Sequence, residues 1–238
     1  MIMKNIYKFA FFLLLCSGLN TKLNAQIVNI PDANFKAALL AHGLVIDTNG
    51  DGEIQVSEAQ ALNGSLSLNS KNIADLTGIE AFTSLTGLSC RYNQLSSLNL
   101  SANTALTYLD CDNNQLTSLN LATNTALTYL DCYVNQLTSL NLTANTALTG
   151  LGCGRNQLTS LDLSANTALT TLSCEYNQLT SLDLTANTFL ESLWCGSNQL
   201  STINLNGTIA LTYIHCSYNQ LTSLDLTANT ALTNLFCP

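Results

Sequence analysis

From Leu106 the chain is apolar at Leu106, Leu109, Cys111, Leu116, Leu119 and Leu121 and polar at most places between, and the same spacing restarts at Leu127. Eight cysteines, Cys90, Cys111, Cys132, Cys153, Cys174, Cys195, Cys216 and Cys237, mark this period of 21 residues without a slip. A period near 20 residues means that one small supersecondary unit is stacked many times, each unit burying its apolar side on the next. Within a unit, the alternation Leu109, Asp110, Cys111 predicts a short strand with one face buried. An asparagine three residues after each cysteine from Cys90 to Cys216 turns the chain out of that strand. It recurs as Asn93, Asn114, Asn135, Asn156, Asn177, Asn198 and Asn219, so its amides form a structural ladder able to bond backbone groups left open at the turn.

The phrase L-x-x-L-x-C-x-x-N-x-L resembles the leucine-rich repeat, with cysteine in place of the third leucine. The resemblance runs from about Leu66 to Pro238. It implies a repeat solenoid: a right-handed coil with a parallel β-sheet on the concave face, short irregular convex segments and a small helical N-terminal cap. Composition agrees, since charged residues are only 9% of the chain. Stability then comes from nearest-neighbour stacking, and the ends need covering.

Three segments are expected: a signal peptide over 1–25, a helical cap over 26–64 and repeats over 65–238. Lys4 and Lys8 precede the apolar run Phe9 to Leu15, and Ala25 supplies the small residue before a cleavage point. That run is too short for a transmembrane segment, so the product is secreted or placed at the cell surface. From Gln26 onward four basic residues, Lys36, Lys71, Arg91 and Arg155, face fifteen acids. Nucleic acid is excluded as a partner, because phosphate binding needs a basic face. The eight repeat cysteines, one per coil and pointing into one core, suit a ladder of buried free thiols better than disulfides or a metal cluster.

In the cap, Asp32 is placed to start a helix running to Gly43. The twelve residues D-T-N-G-D-G-E-I-Q-V-S-E, Asp47 to Glu58, resemble the calcium loop of the EF-hand. The resemblance implies one structural calcium, with Asp47, Asn49, Asp51, the carbonyl of Glu53 and Glu58 as metal ligands and Gly52 at the sharp turn. No second loop of this kind is present, and a second helix is expected over Val56 to Leu62. Residues Leu66 to Leu85 read as a less regular first repeat, with Lys71 where the ladder asparagine would stand.

Differences between copies carry the functional signal. The segments Asn114 to Leu121 and Asn135 to Leu142 scarcely differ, whereas residues beside each cysteine change from copy to copy. Every tyrosine after residue 25 and Trp194 lie in these columns, which strand alternation turns outward. The candidate ligand-binding set is Tyr108, Asp110, Asp112, Tyr129, Asp131, Tyr133, Arg155, Glu175, Trp194, Tyr213 and His215. It points to a binding or adhesion module for a protein or carbohydrate, since aromatics with a polar tip favour contact surfaces. Resemblance suggests exported proteins of Bacteroidetes-like bacteria. Two other readings stay open: a structural or ice-binding array built on Thr117, Thr138, Thr159, Thr180 and Thr222, and a non-catalytic part of a longer enzyme or effector. With only His42 and His215 as histidines, no Ser-His-Asp set, metal cluster or phosphate loop appears, and catalysis is not expected of this chain.

Overall fold

The computed structural model describes residues 26–237; the expected signal peptide lies outside them. Among the described residues there are eleven three-residue strands. Nine of them form one parallel sheet: β1 (Ser65–Ser67), β2 (Gly87–Ser89), β3 (Tyr108–Asp110), β4 (Tyr129–Asp131), β5 (Gly150–Gly152), β6 (Thr171–Ser173), β8 (Ser192–Trp194), β10 (Tyr213–His215) and β11 (Asn234–Phe236), in that order. The other two, β7 (Ser181–Asp183) and β9 (Thr202–Asn204), pair in parallel on a separate face. Register follows the repeat, Leu109 opposite Leu88 on one side and Leu130 on the other. The molecule is a parallel leucine-rich-repeat solenoid.

Every strand except β11 buries its central residue and turns the flanking pair to the sheet surface, as a period of two requires; Leu235, the centre of β11, is half exposed. Leu88, Leu109, Leu130, Leu151, Leu172, Leu193 and Ile214 are buried, and so are Leu95, Leu116, Leu137, Leu158, Leu179 and Leu200 beyond the turn. The cysteines from Cys90 to Cys216 are free and buried beside them. Cys237 is exposed, because no further coil among the described residues lies over β11. The thiol ladder therefore has seven covered rungs and one open one.

The amides of the turn hold consecutive coils together. Asn135 donates from Nδ2 to the carbonyls of Cys111 and Cys132, both at 3.1 Å, and its Oδ1 accepts from the N–H of Leu116 at 2.9 Å. Asn114, Asn156, Asn177, Asn198 and Asn219 repeat the pattern. Asn93 begins it, accepting from the N–H groups of Lys71 and Ile73. The residue just before each of these asparagines is left-handed, from Tyr92 (φ 55°) through Val134 (φ 50°) to Tyr218 (φ 59°). That conformation costs an L-residue about 1–2 kcal/mol, so the ladder must over-determine the turn.

A second buried ladder, which the sequence reading passed over, runs through Asn103, Asn124, Asn145, Asn166, Asn187 and Asn229. Asn124 donates to the carbonyls of Leu100 (3.1 Å) and Asn103 (2.9 Å). Thr208 interrupts the row, returning its hydroxyl to Leu205 O and accepting from Asn229 Nδ2. A third row of hydroxyls, Thr107, Thr128, Thr149 and Thr170, bonds the preceding coil's carbonyl at the start of the sheet. The signal was the same 21-residue recurrence of Asn and Thr in the A-N-T-A-L-T phrase.

The cap has helix α1 (Ala33–Leu40) and helix α2 (Val56–Ala61). Asp32 caps α1 by accepting from the N–H groups of Asn34 and Phe35 at 2.8 and 2.9 Å, a saving of about 1 kcal/mol over an uncapped start. Its other oxygen accepts from Ala74 and Asp75 in the first coil. The helix stops at Ala41, two residues short of Gly43. Phe35, Leu39, Ile46 and Ile54 join the solenoid core.

Candidate functional site

Strands β3 and β4 place their outer side chains in line. The rings of Tyr108 and Tyr129 stack at 5.0 Å with planes 5° apart. Below them, ligand oxygens of Asp110, Asp112 and Asp131 all lie within 4.8 Å of one another. One cation is near, Arg91 at 3.7 Å from Asp110. Burial, with Asp110 and Asp112 adding repulsion, raises the Asp131 carboxyl to about 6. Burial, with Asp131 and Tyr108 beside it, lifts Tyr129 to about 12.

Asp110 departs from the expectation that its column faces outward. It is only 4% exposed, held by Ser89 Oγ at 3.1 Å and by the Asp112 N–H at 3.3 Å. Neighbouring strands and Arg91 cover it, which a single repeat cannot show. It supplies charge beneath the surface; Tyr108, Tyr129 and Asp131 supply the surface itself.

The next strand, β5, carries no side chains there. A Cβ on Gly150 would lie 2.9 Å from the Tyr129 ring, one on Gly152 would lie 2.8 Å from Asp131 Oδ1, and one on Gly154 would lie 2.5 Å from the Tyr133 ring. The three β4-side residues therefore lean across a glycine floor. Tyr133 accepts from Arg155 Nε at 2.8 Å, and the Arg155 guanidinium lies 4.3 Å from the centre of the Tyr176 ring. Glu175 is engaged with Ser173 Oγ at 2.7 Å.

Beyond this floor is a second patch. Trp194 and Tyr213 lie 5.1 Å apart, Tyr213 and Phe236 5.7 Å, and His215 and Phe236 6.1 Å. Phe236, absent from the candidate set, is half exposed and closes the row. Three strand steps separate β4 from β8, about 14 Å. The candidate residues thus fall in two groups, an acidic tyrosine pair and an aromatic row, with Arg155 and Glu175 between them.

The calcium-loop candidates lie at the opposite end, in the cap. Asp47 Oδ1 accepts from the N–H of Gly50 at 2.7 Å and Oδ2 from Gly52 at 2.9 Å. Glu58 Oε1 accepts from the N–H and hydroxyl of Thr48, and Oε2 from Gln55 N–H at 2.9 Å. Partial burial opposes ionisation of Glu58, but the N–H groups of Gln55, Thr48 and Asn49 outweigh it and hold its carboxyl below the usual value. Asp51 is lowered chiefly by the N–H of Glu53. Glu53 turns its carboxylate to Lys36 at 2.7 Å, leaving its carbonyl as the group it would offer a metal. All the donors are oxygens, and an ionised carboxylate has lone pairs left beyond these bonds. The set fits a hard divalent cation that takes six to eight oxygens.

No family model matches the chain. Over 73 residues, 31% of the chain, it is 40% identical to internalin J of Listeria monocytogenes, and that stretch is 8% of the relative. The solved functional domain of InlJ from Listeria monocytogenes, described as including a cysteine ladder, superposes over 87% of this chain with a TM-score of 0.70 and 39% identity. This chain spans about half, 51%, of that structure. An internalin C2 structure from Listeria monocytogenes gives a TM-score of 0.78 over 89% of this chain and 96% of its own, at 24% identity, a likeness of fold alone. Among the described residues no helix is long and apolar enough to cross a membrane. The chain is a leucine-rich repeat protein whose coils, cysteine ladder included, are similar to those of internalin J.

Proposed function

We propose that the protein is an exported recognition module that binds a protein partner through the nine-stranded sheet. The observation that carries this reading is the partition of sequence change. The coil's six buried apolar columns stay Leu or Cys with rare Ile, while the sheet surface differs at nearly every strand and holds the stacked Tyr108 and Tyr129 and the row Trp194, Tyr213 and Phe236. Scaffold positions need only pack; variable aromatics on a rigid sheet offer large contact area at small entropy cost. Likeness to an internalin functional domain supports the same class of role. The face resembles no catalytic site, having neither a nucleophile with an adjacent base nor an oxyanion pocket. Carbohydrate fits the aromatic row less well than protein fits the whole face, because the acidic tyrosine pair about 14 Å away favours a cationic group on the same partner.

The purified protein applied to an array of cell-surface proteins and glycans tests this. A protein hit that weakens at least tenfold in both Tyr129→Ala and Trp194→Ala, but not in Thr138→Ala on the invariant face, is the expected result. A hit insensitive to both substitutions places recognition elsewhere, and a hit lost with Thr138→Ala instead moves it to the threonine array.

A further inference from the structure

The sheet face holds more negative charge at β3 and β4 than its own cations neutralise. Asp110, Asp112 and Asp131 bring oxygens within 4.8 Å of one another, and Arg91 approaches only to 3.7 Å from Asp110 with half of its side chain in solvent. The second arginine of the repeats, Arg155, is held by the Tyr133 hydroxyl and the Tyr176 ring instead. Asp112 Oδ1 is shut off from solvent and has no hydrogen-bond partner among the described residues. Clustered carboxylates partly removed from water and met by one loose cation favour a further positive charge. We infer that strands β3 to β5 seat an arginine side chain of the protein partner, its stem along the Tyr129 ring and its guanidinium on Asp131. This rests on the reading of the sheet as the recognition surface and names the chemistry of what it recognises.

The open oxygen decides where the guanidinium sits. Asp110 has both oxygens engaged, by Ser89 Oγ and by the Asp112 N–H. Asp131 accepts from the Tyr133 N–H at 3.0 Å through Oδ1, which leaves Oδ2 for a ligand. Its approach from β5 is clear, because Gly150 lies under the Tyr129 ring and Gly152 under Asp131, and neither has a side chain to cover them. The stem of a long side chain can therefore lie along this glycine floor with its charged end at the carboxylate. A planar, forked guanidinium suits a carboxylate beside an aromatic ring better than a compact ammonium does. The same face already holds one this way, Arg155 Nε donating to the Tyr133 hydroxyl at 2.8 Å with its guanidinium 4.3 Å from the centre of the Tyr176 ring. A hard metal ion fits less well, since it needs at least six oxygens and N–H or O–H donors already point at three of those present.

This contact weakens in acid. Asp131 is faced by Asp110 and Asp112 from the coil before, by Arg91 from the coil before that, and by Tyr129 and Tyr133 of its own coil. The β5 side presents glycines, and Glu175 stands one coil further on. Burial and the two neighbouring carboxylates hold Asp131 at about 6 in the free protein. A guanidinium binds the ionised carboxyl, so its affinity is full above that value and falls as pH drops through it.

Titration of the isotope-labelled protein with the capped tripeptide Gly-Arg-Gly, followed by amide NMR shifts, tests the site, and the neutral citrulline peptide of the same shape is its control. The expected result is saturable shifts at Tyr129, Asp131 and Gly152, at least tenfold weaker binding of the citrulline peptide, and at least fivefold weaker binding of the arginine peptide at pH 5 than at pH 7.5. Asp131→Asn removes both the tenfold preference and the pH dependence. Asp162→Asn, an exposed acid away from the sheet in a column where Asn120 and Asn141 also stand, leaves them unchanged. Equal binding of the two peptides, or an equal loss in Asp162→Asn, would overturn the arginine site. So would calcium chloride that abolishes the arginine shifts while moving the Asp110, Asp112 and Asp131 signals, since the cluster would then be a metal site. If the arginine site fails while an array hit still weakens in Tyr129→Ala and Trp194→Ala, only this contact is lost. A hit insensitive to both substitutions removes the recognition reading, and the arginine contact with it.

Discussion

Replacing Asn135 by alanine removes four hydrogen bonds from the middle of the stack, the longest of them from Nδ2 to Tyr133 O at 3.4 Å. The N–H of Leu116 loses its partner, Asn135 Oδ1 at 2.9 Å, and is left buried without another. The carbonyls of Cys111 and Cys132 each lose one donor at 3.1 Å but keep a second, from Asn114 and Asn156 respectively. An orphaned buried N–H costs about 1–3 kcal/mol and each replaced bond about 1 kcal/mol, so the loss is about 3–5 kcal/mol. Asn219 makes the same bonds to Cys195, Cys216 and Leu200, but it is only partly buried. Water reaches the groups that Asn219→Ala exposes, and the loss there falls to about 1–2 kcal/mol. Urea unfolding followed by circular dichroism reads both, with the slope checked for constancy so that midpoints convert to free energy. A loss below about 1 kcal/mol at Asn135, or an equal loss at the two sites, would refute the view that buried ladder amides hold the coils together.

Three further outcomes are expected. Val134 is β-branched at φ 50°, where the equivalent Asn113 sits at φ 51°; Val134→Asn should raise stability by about 1 kcal/mol, seen as a higher urea midpoint. Asp131 has its folded carboxyl raised to about 6 from 3.8, so the folded chain binds more protons than the unfolded one across that window. Its contribution is favourable below pH 4 and is lost as pH rises through 6. Asp131→Asn should therefore stabilise the protein at pH 7, by about 1–2 kcal/mol after allowance for solvent screening, and flatten melting temperature between pH 4 and 7. Thiol labelling of the native protein with iodoacetamide, mapped by mass spectrometry, should modify Cys237 and spare Cys90 to Cys216, whose burial keeps them protonated and out of reach. Equal labelling of Cys132 and Cys237 would show that the coils open.

Most of the scaffold was legible because the repeat states it many times over. Once Leu109, Cys111 and Asn114 recur at a fixed interval, strand, turn and in-register stacking follow from local rules, and similarity of neighbouring copies leaves no alternative register. Asn124 and its row were equally periodic and were missed because an asparagine among threonines and alanines looks like an exposed loop. Its burial comes from bonds to carbonyls one coil earlier. The candidate face was legible as a set of columns, not as a surface. Asp110 is covered by side chains 21 residues away on either side, Tyr129 and Asp131 spread over Gly150 and Gly152, and Phe236 closes a row begun by Trp194. What the sequence by itself determined is the coil, since periodicity in hydrophobicity acts through contacts within a unit and its identical neighbour. What only the tertiary structure decided is the exposure and grouping of the variable residues, because these depend on which unlike side chains successive coils bring edge to edge.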